Sequence, residues 1–401
     1  MKFSKRTDWQ LGENPLSLAL AESRAKGIPI IDLTESNPTR CGFSYPQDVF
    51  LTPLAGEENL TYAPHPKGML KVRQALATYY ATKGVRILSD YLVLTSSTSE
   101  GYSFLFRLLM DPGDKVLVPA PSYPLFSYLA DINDVGVEHY QLRLEDGRWR
   151  INFESIEMAL DSNVKAIILV SPNNPTGSFI KKDELEILNR LCAAHGVAII
   201  CDEVFGDYIF EDHYKDYLTL AGNKAVPTFV LGGLSKALAM PQMKLSWIAL
   251  NGPADFIDQA LPRLELIADT FLSVNTPVQN AAVGWLSNMA VIRDQVMARV
   301  LGNYVFLRHI CAEKGIGECL TVEGGWYATL HCPSVSSGEE WAIELLRKEG
   351  VYVHPGYFFD FMDEGYIVLS LLPERVVFEE GVEKLCRMLQ EGIPGKDERL
   401  L

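Results

Sequence analysis

The sequence predicts an α/β protein: a large domain with a mostly parallel sheet flanked by helices, plus a smaller α+β domain. Three observations carry this. A chain of 401 residues exceeds what one hydrophobic core usually serves, so two units are expected. Between residues 90 and 250 short apolar runs alternate with helical stretches, the pattern of strands buried on both faces. After about residue 280 the rhythm changes to long helices with hairpin-like strands between them.

Taken in order, the first element is a helix. Asn14 can cap it, Pro15 suits its first turn, Leu16, Leu18, Leu20 and Ala21 follow, and Gly27 stops it. A short strand is expected over 30–33, and a polar loop over 34–40. Strands are then expected at 91–94, 115–118, 137–140, 164–170, 197–201, 228–231 and 245–250, with helices at 100–110 and 183–195 among them. The C-terminal part shows helices over 291–314 and 338–349 and strands near 327–330 and 366–369. The expected division is an N-terminal segment 1–44 packing with the small domain, a large domain 45–280 and a small α+β domain 281–401.

Composition narrows the function classes. With 48% hydrophobic and 22% charged residues the chain reads as an ordinary soluble protein. A net charge of −15, without a basic run, argues against nucleic acid as a partner. The seven cysteines form an odd set with no CxxC pair, so packed thiols are expected rather than disulfides or a metal site. No apolar run is long enough to span a bilayer and residues 1–10 lack a signal-like h-region, so a cytoplasmic protein without a membrane partner is expected.

The most informative residue is Lys236. An apolar strand ends in Gly232-Gly233, and Leu234-Ser235 then delivers one lysine. An amine held there can form a Schiff base with an aldehyde cofactor, for which pyridoxal 5'-phosphate is the candidate. Upstream polar features also follow strands, where ligands of open α/β sheets bind. Thr95-Ser96-Ser97-Thr98-Ser99-Glu100 opens a helix, and its free N–H groups and hydroxyls could cradle a phosphate. Alone, the same stretch reads as a plain N-cap. Tyr123, between Pro121 and Pro124, could stack on a planar ring or simply pack. Asn174, in Asn173-Asn174-Pro175-Thr176-Gly177, could donate to a cofactor hydroxyl. Asp202 ends a buried strand and needs a partner there: a protonated pyridine nitrogen, a helix end or a structural cation.

In this order these residues resemble the class I/II aminotransferases, whose fold is type I of the pyridoxal-phosphate enzymes. The likeness runs from about residue 30 to 390. It extends to Tyr62-Ala63-Pro64-His65-Pro66-Lys67-Gly68 with Leu70 and Arg73, to Asp111-Pro112-Gly113-Asp114, to His354-Pro355-Gly356, and to Pro373-Glu374-Arg375 through Gly381. The resemblance implies that Lys236 carries the Schiff base and moves the proton, Asp202 pairs with the pyridine nitrogen, and Asn174 bonds the ring hydroxyl. It implies that Tyr123 stacks on the ring and that Ser97, Thr98 and Ser99 hold the phosphate. Tyr62 resembles a tyrosine that reaches the neighbouring subunit's phosphate, so a homodimer is implied.

Four positions depart from that family. Phe205 stands where a tyrosine usually donates to the ring hydroxyl, with Tyr208 as a candidate substitute. Lys244 replaces an arginine on the phosphate, a point charge in place of a bidentate fork. Gly233 replaces a serine on the phosphate. Val368, in Val368-Leu369-Ser370, replaces the arginine that grips the substrate carboxylate. Arg40, with Asn37 in the same loop, is the leading replacement, against the reading that it is a surface arginine; Arg375 is a weaker candidate. The expected function is transfer of an amino group between an amino acid, or an atypical amine, and a 2-oxo acid. A lyase or replacement enzyme on the same scaffold and a non-catalytic regulatory protein are the alternatives.

Overall fold

The computed structural model describes residues 2–9, 11–210, 213, 216–332 and 338–391. Among the described residues there are fourteen strands. They are β1 (Ile31–Asp32), β2 (Leu92–Thr95), β3 (Lys115–Ala120), β4 (Gly136–Glu145), β5 (Arg148–Ile151), β6 (Val164–Val170) and β7 (Ala198–Asp202). The remainder are β8 (Thr228–Gly233), β9 (Ser246–Asn251), β10 (Glu318–Cys319), β11 (Tyr327–His331), β12 (Val351–Tyr352), β13 (His354–Pro355) and β14 (Tyr366–Ser370).

Eight of them form the central sheet, in the order β2-β9-β8-β7-β6-β3-β4-β5. The run from β8 to β4 is parallel, while β9 lies antiparallel between β8 and β2. Alternate residues serve two different cores. Val116, Ile168, Ile200, Phe229 and Ile248 face the core under helices Thr98–Leu109 and Ala254–Phe271. Their neighbours Leu117, Ile167, Ile199, Val230 and Trp247 face the other. Burial on both sides is why these strands read as unbroken apolar runs.

The sheet is wider than the sequence suggests. The strand expected at 137–140 runs on to Glu145 and folds back into β5 through Asp146 and Gly147, both at positive φ (49° and 74°). Asp-Gly is the residue pair that such a hairpin turn favours.

A second sheet of four strands, β10-β11-β14-β13, is antiparallel throughout. The N-terminal segment lies with it. Helix Pro15–Ala25, capped by Asn14 Oδ1 accepting from Ser17 N at 2.7 Å, packs on helix Gly338–Glu349. Strand β1 pairs in parallel with β12. Among the described residues no helix is long and apolar enough to cross a membrane.

Candidate active site

The carboxyl ends of β6, β7 and β8 lie side by side, because Val170 pairs with Asp202 and Asp202 with Leu231. Above them a cleft of about 180 Å³ is lined by Ser36, Thr98, Ser99, Tyr123, Phe126, Asn174, Asp202, Phe205, Lys236, Ser246 and Tyr327, among others. The sheet therefore brings together residues spread over most of the chain at the edge where ligands of such sheets bind.

Lys236 sits on the one-turn helix Leu234–Ala237 that follows β8. Its Nζ lies 4.9 Å from the ring centre of Trp326 and 5.6 Å from that of Phe205. Burial pushes its pKa down to about 8, against the pull of the nearby Asp202 carboxylate. About a tenth of the amine is thus neutral, and nucleophilic, at pH 7, and that share grows as pH rises through about 8. Asp202 is pushed up to about 6 by burial, and hydrogen bonds counter that shift. Its Oδ1 accepts from Val204 N at 3.0 Å and its Oδ2 from the Tyr102 hydroxyl at 3.2 Å. The carboxylate is held rigidly and remains the ionised form at neutral pH.

Asn174 is held by its turn. Asn173 Oδ1 accepts from Thr176 N and Oγ1 at 3.3 and 3.0 Å, and Gly177 N donates to Asn173 O. Asn174 itself is buried, and its Oδ1 finds no partner among the described residues. A buried polar atom without a protein partner in such a cleft is placed to bond a ligand. Thr98 and Ser99 open helix Thr98–Leu109, where backbone amides have no intrahelical acceptor. Ser97 does not line the cleft; its hydroxyl accepts from Glu100 N at 3.1 Å as the N-cap. Tyr123 borders the opening, 41% exposed.

Other candidates lie elsewhere. Tyr62 is 74% exposed and lines a different depression, with His65, Phe104, Leu272 and Gln279. Lys244 is exposed, in left-handed backbone conformation, and is not among the cleft's lining residues. Asn37 Oδ1 accepts from Thr39 N and Oγ1 at 3.1 and 2.7 Å, and the Arg40 side chain is 75% exposed, 4.0 Å from Glu35. Ser36, which the sequence reading passed over, is the residue of that loop that lines the cleft. Arg375 pairs with Glu379 at 2.6 Å on an exposed helix face.

Two of the departures gain physical detail. Tyr208 does not face the cleft; its hydroxyl donates to the Lys236 carbonyl oxygen at 2.9 Å and steadies that turn. Besides Tyr123, the phenol that lines the cleft is Tyr327, from β11, edge-on to Phe205 at 6.1 Å. Its pKa is raised to about 12 by burial, while hydrogen bonds with Ser36 and Asn174 oppose the shift. Val368 is fully buried among Trp149, Leu320, Phe359 and Phe361, so its site is filled by apolar packing. Tyr102 was legible in principle, being one helical turn past Thr98 and hence on the same face. Nothing local announces Tyr327, which the second sheet carries in.

The comparisons with known proteins agree with this geometry. The family described as aminotransferase class I and II matches residues 34–385. A glutamate-pyruvate aminotransferase of Haemophilus influenzae is 25% identical over 91% of this chain and 92% of its own. A tyrosine aminotransferase of Mus musculus is 26% identical over 94% of this chain and 84% of its own. Among solved structures, an alanine aminotransferase from Pyrococcus furiosus superposes with a TM-score of 0.88 at 24% identity, covering 98% of this chain and all of that one. With the match spanning both sheets and every wall of the cleft, the chain belongs to the class I and II aminotransferases.

Proposed function

We propose that this transferase moves an amino group from an amino acid to a 2-oxo acid with pyridoxal 5'-phosphate held in the Lys236 cleft. The observation that carries this is that a buried Lys236 amine of lowered pKa and a doubly hydrogen-bonded Asp202 carboxylate line the same cleft at one sheet edge. The residues fit such a group. Asn174 Oδ1 has no partner, the first turn of helix Thr98–Leu109 offers free amides, and Tyr123 offers a ring at the opening. When bound, the cofactor would supply an aldehyde for Lys236 and an electron sink for the substrate's Cα.

The chain's own residues then have distinct tasks. Asp202 would hold positive charge on the ring nitrogen, and Tyr102 keeps that carboxylate oriented. Asn174 and Tyr327 both line the cleft and would bond the ring hydroxyl. The Lys236 amine would take up the proton from the substrate's Cα and return it in the reverse half of the transfer. Lys244 and Tyr62 are assigned to phosphate, the latter in the partner of a cytoplasmic homodimer.

The substrate carboxylate is not gripped from position 368. Lys236 is the sole cation among the described residues that line the cleft, and neutral donors such as Ser36 take the arginine's place. The named relatives include proteins that act on alanine and on tyrosine at nearly the same identity, so likeness does not select a donor. Incubating the cofactor-loaded protein with single amino acids and a 2-oxo acid tests the reading. Amino transfer that depends on both partners and is lost in Lys236→Ala supports it; product formed without any 2-oxo acid supports a lyase instead.

A further inference from the structure

Position 233 is a glycine where the resembled family places a serine on the phosphate. The strand ladder shows where another hydroxyl stands. Gly233 closes β8 and pairs in register with Ser246, the first residue of β9. On its other side Ser246 pairs with Thr95, the last residue of β2, and the chain then passes directly into the helix that carries Thr98 and Ser99. Ile248 and Leu250 of β9 face the core beneath that helix, so Ser246, in phase with them, faces the same way.

Ser246 is 2% exposed, and what surface it keeps lines the cleft. No side-chain hydrogen bond among the described residues uses its hydroxyl. A hydroxyl that meets the cleft without a protein partner is free to donate to a ligand acceptor there. The two positions also exclude one another. A Cβ built on residue 233 would overlap Ser246 Oγ and lie 3.2 Å from Ser246 Cβ. Only one of the paired residues can carry a hydroxyl side chain into this space.

We propose that Ser246 donates the hydroxyl hydrogen bond to the cofactor's phosphate, the role having crossed the ladder from position 233 to its partner on β9. This rests on the cofactor reading above. It explains how the site keeps a phosphate hydroxyl although residue 233 lacks one, and why residue 233 must stay a glycine while Ser246 is present.

The test is equilibrium titration of the apoprotein with pyridoxal 5'-phosphate and, separately, with pyridoxal, followed by absorbance. In Ser246→Ala the phosphorylated cofactor should bind about tenfold more weakly, equivalent to about 1.4 kcal/mol. Pyridoxal, which has no phosphate, should bind as it does to the unaltered protein. Gly233→Ser alone should weaken binding through the overlap, and the double variant Gly233→Ser/Ser246→Gly should recover affinity. Thermal melts show which variants are folded, and if Ser246→Ala is not, the double variant decides. Unchanged affinity in Ser246→Ala, or an equal loss for both ligands, overturns the assignment and leaves the cofactor reading standing. An unaltered protein that takes up neither ligand overturns the cofactor reading itself.

Discussion

At the scale of single residues, the site depends on the electrostatic balance between Lys236 and Asp202. Burial lowers the lysine pKa to about 8, and Asp202 is the group that holds it from falling further. The neutral amine is the reactive form, so uptake of pyridoxal phosphate by the apoprotein should accelerate as pH rises through about 8. Asp202→Asn removes the opposing charge, and the midpoint of that profile should move to lower pH. A midpoint that stays put or moves up would mean the two groups are not coupled as their positions require. These residues were legible in sequence because each follows a strand rich in apolar residues, and a polar side chain at such an end is conspicuous. Ser246 and Tyr327 were not, because ladder register and the second sheet place them, and no local motif displays either.

At the scale of elements, the second sheet fills the space where a substrate-binding arginine was expected. Val368 lies opposite Thr329 and His354 in the ladder, and its side chain is sealed by Trp149, Phe359 and Phe361. Val368→Arg would place a guanidinium in that cluster with no carboxylate to meet it. Chemical denaturation should show a loss of about 3–5 kcal/mol, the usual cost of an unpaired buried charge. An equally stable variant with a lower KM for amino acids would instead show that the position still opens to substrate. The identity of residue 368 was readable from its flanking motif, but its closure was not. That depends on a hairpin, β4–β5, that brings Trp149 in from the edge of the other sheet. The loop bearing Asn174 is tied to the same unit. Gly177, at φ 71°, would place a Cβ 2.6 Å from Val322 Cγ1, and buried Lys181 pairs with Glu323.

At the scale of the whole molecule, one chain forms the cleft but leaves Tyr62 outside it. Leu60, two residues before Tyr62, is 88% exposed, and Leu272, which lines the same depression as Tyr62, is 42% exposed, apolar surface that a second copy would cover. Sedimentation equilibrium should give twice the mass of the chain. Tyr62→Phe should leave that mass unchanged and weaken pyridoxal phosphate binding about tenfold, as loss of a hydrogen bond to a charged acceptor does. A monomer binding the cofactor at full strength would refute the shared site. Alternation of strands and helices made the large sheet legible from sequence. The antiparallel insertion of β9 was not, since register and direction are decided by contacts distant in the chain.

In the proposed reaction the Lys236 site takes the amino group from the donor first and then passes it to the 2-oxo acid. The most direct measurement is the visible spectrum of the cofactor-loaded protein, first with one amino acid and then with a 2-oxo acid. Amino transfer predicts that the donor converts the aldehyde form of the cofactor to its amine form, that the 2-oxo acid restores it, and that Lys236→Ala shows neither change. A spectrum that no amino acid alters, or that 2-oxo acids cannot restore, would contradict the account.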